Sequence, residues 1–150
     1  MSHSYAHLHS HVIFGTKGRA PWINLDLKRR LLPYMGGIVR ESGGSVLAIN
    51  GTEDHVQLLM FLPATQSMAD AMRVLKTNSS RWIHETWASK KAFGWQTGYG
   101  AFSVSRSGTE EVRRYIEDQE EHHRKMTFQE EYVAFLKRHG ITYDDRYIWS

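Results

Sequence analysis

The chain has 150 residues, 41% of them hydrophobic, with five Trp, six Phe and seven Tyr, which is apolar surface enough for one core and predicts a single domain over 1–150. The absence of cysteine excludes a disulfide framework and a thiolate metal site, leaving His, carboxylate and amide groups as the available metal ligands. A net charge of +3 with nine histidines suits a polyanionic partner, and no apolar stretch nears the roughly 20 residues that span a bilayer, so a cytoplasmic protein with no membrane partner is expected.

The first element is a strand over His7 to Thr16, with Leu8, Ser10, Val12 and Phe14 on one side and His7, His9, His11 and Ile13 on the other. Asn24 caps a helix to about Glu41, whose apolar stripe is Leu27, Leu31, Leu32, Met35 and Ile38, with Pro33 as a local irregularity and Gly43-Gly44 as the stop. Two β-rich runs follow, Ser45 to Asn50 and His55 to Leu62, joined by Gly51-Thr52-Glu53-Asp54 as a hairpin. Ser67 with Asp70 opens a long helix carrying Met68, Met72, Leu75, Ser79 and Trp82. A fourth strand lies within Gly98 to Ser105. Ser107 with Glu110 signals the cap of a helix bearing Tyr115, and Thr127 with Glu130 that of a last helix with Phe128, Tyr132, Phe135 and Leu136 inward. The order βαββαβαα is that of an α+β, ferredoxin-like split βαβ sandwich with appended C-terminal helices, in which one sheet face is left for a ligand or partner.

Tyr115 and Gln119 stand four apart, a spacing that puts both on one helix face. His55 and Gln57 stand two apart in a strand, so both leave the same sheet face and can converge on one ion. Each pair also has a plainer reading, as the wet side of a half-buried strand and as an amphipathic Tyr with a solvated hydroxyl. Along the second helix Arg73, Lys76, Thr77, Ser80, Arg81 and His84 recur at spacings of three and four, either as a solvated face or as a row facing a phosphate backbone. His7, His9, His11, Lys17 and Arg19 make a second basic patch, where Phe14 and Trp22 offer stacking to unpaired bases. The His122-His123 pair fits the favourable end of a helix dipole.

Five segments together resemble the single-tyrosine HUH transposases of the insertion-sequence-200/605 type and their repeat-associated relatives. They are His11 to Arg19, Gly51 to Leu59, Leu75 to Ser80, Trp95 to Ser105 and Tyr115 to Gln119. The resemblance implies a homodimeric transposase that acts on hairpin-bearing single-stranded DNA, forms a 5′-phosphotyrosine link and uses Mg²⁺ or Mn²⁺. It implies Tyr115 as nucleophile, His55 as the first histidine of the HUH motif, Gln119 as a metal ligand, and active sites shared between subunits. Gln57 stands where the family has its second histidine, and an amide oxygen can replace it as ligand to Mg²⁺. The DNA-binding set is then His11, Lys17, Arg19, Arg73, Lys76, Ser80 and Arg81. The alternatives are a relative that grips DNA hairpins without cutting them, and an RNA-binding domain using the open sheet face.

Overall fold

The computed structural model describes residues 5–122 and 125–149. Four strands, β1 (His9–Gly15), β2 (Ser45–Gly51), β3 (His55–Phe61) and β4 (Gly100–Val104), form one antiparallel sheet in the order β2-β3-β1-β4. The helices are α1 (Leu25–Glu41), α2 (Met68–Thr86), α3 (Thr109–Glu117), α4 (Gln119–His122) and α5 (Phe128–Arg138). This is the expected ferredoxin-like α+β sandwich with C-terminal additions.

Strand alternation decides which side chains meet which layer. Val12 and Phe14 of β1 and Val56, Leu58 and Met60 of β3 pack with Leu27, Leu31 and Met35 of α1 and Met72, Leu75 and Ile83 of α2. The intervening residues face the other way. There Ile13 and Phe102 meet Phe128, Tyr132, Phe135 and Leu136 of α5, while Ala48, Leu59 and Val104 meet Ile116 of α3. The second sheet face is therefore covered, not open as the sequence suggested, because α3 and α5 each carry an apolar stripe that must be buried. The same cover removes the platform that an RNA-binding reading needs.

Local capping follows the sequence at three helices. Asn24 Oδ1 accepts from Leu27 N at 2.9 Å, Ser67 Oγ accepts from Asp70 N at 3.1 Å, and Thr127 with Glu130 closes a reciprocal capping box. The Ser107–Glu110 cap does not form. Ser105 Oγ instead takes Gly108 N at 3.2 Å in a short 3₁₀ turn, α3 begins without a side-chain cap, and Glu110 turns to Arg113. The His122-His123 pair lies outside the residues whose side chains are described. Among the described residues no helix is long and apolar enough to cross a membrane.

Candidate active site on the covered sheet face

His55 opens β3 directly after a tight connection in which Thr52 N donates to His55 O at 3.0 Å. Its Nδ1 lies 2.9 Å from Asp54 Oδ1 and 2.9 Å from Thr52 Oγ1, which orients the ring and turns Nε2 towards the C-terminal helices. Phe128 stacks on that ring at 4.3 Å between centroids. The approach is possible because Gly15 has no side chain: a Cβ there would sit 2.6 Å from the Phe128 ring.

Tyr115 and Gln119 arrive from α3 and α4, which are separate because the chain leaves helical geometry at Asp118 (φ −94°, ψ 24°). The single helix face expected for both residues is thus broken by one residue, yet both side chains reach the same place. Asn50 Nδ2 of β2 holds the break, donating to Ile116 O and Glu117 O at 3.0 Å each. Gln119 is fully buried. Its Oε1 accepts from Gln57 Nε2 at 2.8 Å and lies 3.4 Å from His55 Nε2.

Glu131 of α5 completes the cluster. It is 1% exposed, and its Oε1 accepts from Gln57 Nε2 at 2.8 Å and lies 3.5 Å from His55 Nε2, while Oε2 accepts the Tyr115 hydroxyl. Sequence reasoning missed this residue. The signal available was a carboxylate three residues after Phe128 and four before Phe135, on the stripe that must face inward.

The electrostatics follow from the burial. Burial alone would lower the His55 pKa, but its hydrogen bonds to Asp54 and Glu131 and their charges raise it above the ordinary histidine value. His11, 3% exposed, is lowered by desolvation; its Nε2 meets Gln57 Oε1 at 2.7 Å. Burial and the Glu131 carboxylate both push the Tyr115 phenol well above its usual value. Tyr115 nevertheless borders two clefts, of about 190 and 270 Å³, and the exposed Arg138 lines both.

Among the described residues no three His, Cys, Asp or Glu side chains are grouped to hold a metal ion, so a set of three protein ligands here would include an amide. Gln119 supplies one, since its Oε1 faces His55 Nε2. Gln57 does not do so in this arrangement: its oxygen is taken by His11 and its amide nitrogen is what faces the cluster.

The expected DNA-binding residues separate into two groups. Lys17, Arg19, Arg73 and Arg81 are exposed and Ser80 is half-buried. His11 is not part of a surface patch, because its ring is enclosed by Gln57, Phe135 and Tyr115. Phe14, fully buried, is not a stacking platform. Lys76 is turned inward. Burial pushes its amine down to about 8, and the ammonium donates to the carbonyls of Gln96, Thr97 and Gly98 at 2.9, 3.0 and 2.6 Å. His84 meets Phe93 O at 2.7 Å.

Residues 4–119 match the family described as transposase, IS200-like. The chain belongs to that family. This IS200-like transposase is 26% identical over 117 residues to the ISDra2 transposase TnpA of Deinococcus radiodurans, covering 75% of this chain and 84% of the relative. Its fold is similar to a crystal structure from D. radiodurans R1 assigned as a transposase, with TM-score 0.65, 23% identity, and coverage of 79% of this chain and 96% of the other. It is also similar to a repeat-associated tyrosine transposase solved bound to a REP hairpin, with TM-score 0.61, 13% identity, and coverage of 82% and 74%. The family match ends at Gln119, so α5 and Glu131 of the transposase lie beyond it.

Proposed function

We propose that the chain cuts and rejoins single-stranded DNA at hairpin-bearing ends through a 5′-phosphotyrosine on Tyr115, assisted by Mg²⁺ or Mn²⁺. The observation that carries this reading is that Tyr115, His55 and Gln119 of one chain meet in one buried cluster beside a cleft open to solvent. The REP hairpin bound by the repeat-associated neighbour supports a hairpin as substrate. The exposed Arg73 and Arg81 on α2, with Lys17 and Arg19, suit its phosphates.

In the reaction the Tyr115 oxygen attacks phosphorus in line, the bond from phosphorus to the 3′ oxygen breaks, and the leaving oxygen takes a proton to become a free 3′-hydroxyl. The phenolic proton passes to the Glu131 carboxylate, already its acceptor. Arg138 at the cleft faces the charge that develops on the phosphoryl oxygens. His55 Nε2 and Gln119 Oε1 suit a divalent cation, with the imidazole oriented by Asp54. A bound cation would hold a non-bridging phosphate oxygen and polarise phosphorus. Rejoining reverses the step with another 3′-hydroxyl and needs no nucleotide.

Incubating an end-labelled hairpin oligonucleotide with Mn²⁺ should yield a denaturation-resistant adduct. Tyr115→Phe should bind the hairpin yet form none, since one hydroxyl is lost and the ring keeps its packing. Hairpin binding without any wild-type adduct would establish the second reading, a binding relative impaired at Gln57, which the amide nitrogen turned into the cluster favours. The homodimer implied by the family is tested separately, by sedimentation.

A further inference from the structure

We propose that Glu131 is the anionic ligand of the divalent cation at this site, and that Gln57 positions the ligands instead of binding the ion. This rests on the metal-assisted reading above.

His55 and Gln119 together offer one imidazole nitrogen and one amide oxygen and no negative charge, a weak set for a hard dication that prefers anionic oxygen. Glu131 supplies the charge. Its Oε1 is 3.5 Å from His55 Nε2, and Gln119 Oε1 is 3.4 Å from the same atom. Around an octahedral ion with bonds of about 2.1 Å, neighbouring ligand atoms stand about 3.0 Å apart. Each of the two oxygens thus stands within about 0.5 Å of that spacing from the imidazole nitrogen.

Gln57 explains how they are held there. Its Nε2 donates to Gln119 Oε1 and to Glu131 Oε1, both at 2.8 Å, while its Oε1 is occupied by His11 Nε2 at 2.7 Å. An amide donates two N–H bonds from one nitrogen, which an imidazole cannot do. Glutamine at this position therefore brackets two oxygen ligands, and the ligand given up on β3 is replaced in space by a carboxylate from α5. That carboxylate is 1% exposed and already accepts from Gln57 and Tyr115 and faces His55, so its charge is held in place at the point where a cation would bind. Because Oε2 accepts the Tyr115 hydroxyl, the same side chain ties the nucleophile to the ion.

The test is direct titration of Mn²⁺ into the full chain without DNA, followed by the spin resonance of the free ion. Wild type, Glu131→Gln, Glu131→Asp, Gln57→Ala and His55→Ala are compared, with melting curves confirming that each is folded. Wild type should bind one ion per chain and His55→Ala should bind none. Glu131→Gln should raise Kd at least about tenfold, as removal of a ligand charge does, Glu131→Asp should keep part of the affinity, and Gln57→Ala should lose less than Glu131→Gln. Mn²⁺ should also raise the wild-type melting temperature more than that of Glu131→Gln. Equal Kd for wild type and Glu131→Gln, with His55→Ala defective, would overturn the role of Glu131 and leave the metal reading intact. So would a larger loss in Gln57→Ala, which would make Gln57 the ligand, or cleavage abolished in Glu131→Gln at unchanged Kd, which would confine Glu131 to the tyrosine proton. No Mn²⁺ bound by wild type would overturn the metal reading itself.

Discussion

Lys76 shows how far a side chain's role depends on what surrounds it. In sequence it is one of a row of cations on α2, yet its ammonium ties down the carbonyls of Gln96, Thr97 and Gly98. Lys76→Met should remove a charged donor from these part-buried and exposed carbonyls, at about 1–3 kcal/mol of stability. Thermal denaturation measures the loss. Hairpin affinity and its salt dependence should change little in that variant, because the amine faces the loop. Arg73→Glu with Arg81→Glu should do the reverse, lowering affinity and flattening the salt slope by roughly one unit for each phosphate no longer neutralised while the melting temperature holds. An unchanged slope in the double variant would return this row to a merely solvated face.

At the scale of elements, the site depends on how closely α5 seats against β1. Phe128 lies over Gly15 and stacks on His55, three residues before Glu131. Gly15→Ala puts a Cβ within 2.6 Å of that ring, so α5 must shift, at a cost of about 1–3 kcal/mol typical of overpacking. Because Glu131 moves with the helix, the variant should lose cleavage more steeply than stability. Cleavage at the wild-type rate would show that the seating of α5 is dispensable. Elements governed by local chemistry were legible from sequence: the caps at Asn24, Ser67 and Thr127 require only a side-chain oxygen and an amide a few residues on. The Ser107 cap was not, because Ser105, two residues earlier, competes for the same turn and wins. Glu131 escaped notice for a different reason. Its spacing marks it as inward-facing, but only the packing of α5 on β1 and β3 shows that the inward side holds His55 and Gln57.

At the scale of the molecule, the face that meets α1 and α2 is marked by the period-two apolar residues Val12 and Phe14 of β1 and Val56, Leu58 and Met60 of β3. The cover on the second face is not so marked. It needs α3 and α5 to fold back over His11, His55 and Gln57, and long-range packing of that kind leaves only amphipathic stripes in a sequence. With that cover in place each chain carries its own Tyr115, His55, Gln119 and Glu131 in contact. Sharing of sites between subunits, which the family resemblance implied, is then unnecessary for assembling the cluster. Mixing Tyr115→Phe with His55→Ala subunits should recover no cleavage, as neither chain holds a complete set. Recovery on mixing, with subunit exchange demonstrated, would mean that the tyrosine works on a partner's ions and DNA.

Tyr115 as the nucleophile is tested most directly by recovering the covalent adduct from a hairpin oligonucleotide labelled separately at each end, then sequencing the modified peptide by mass spectrometry. A 5′-phosphotyrosine keeps the strand on the 3′ side of the cut, so the 3′-end label should travel with the protein, the 5′-labelled fragment should carry a free 3′-hydroxyl, and the modified residue should be Tyr115. Protein-bound 5′-end label, or an adduct on any other residue that persists undiminished in Tyr115→Phe, would contradict it.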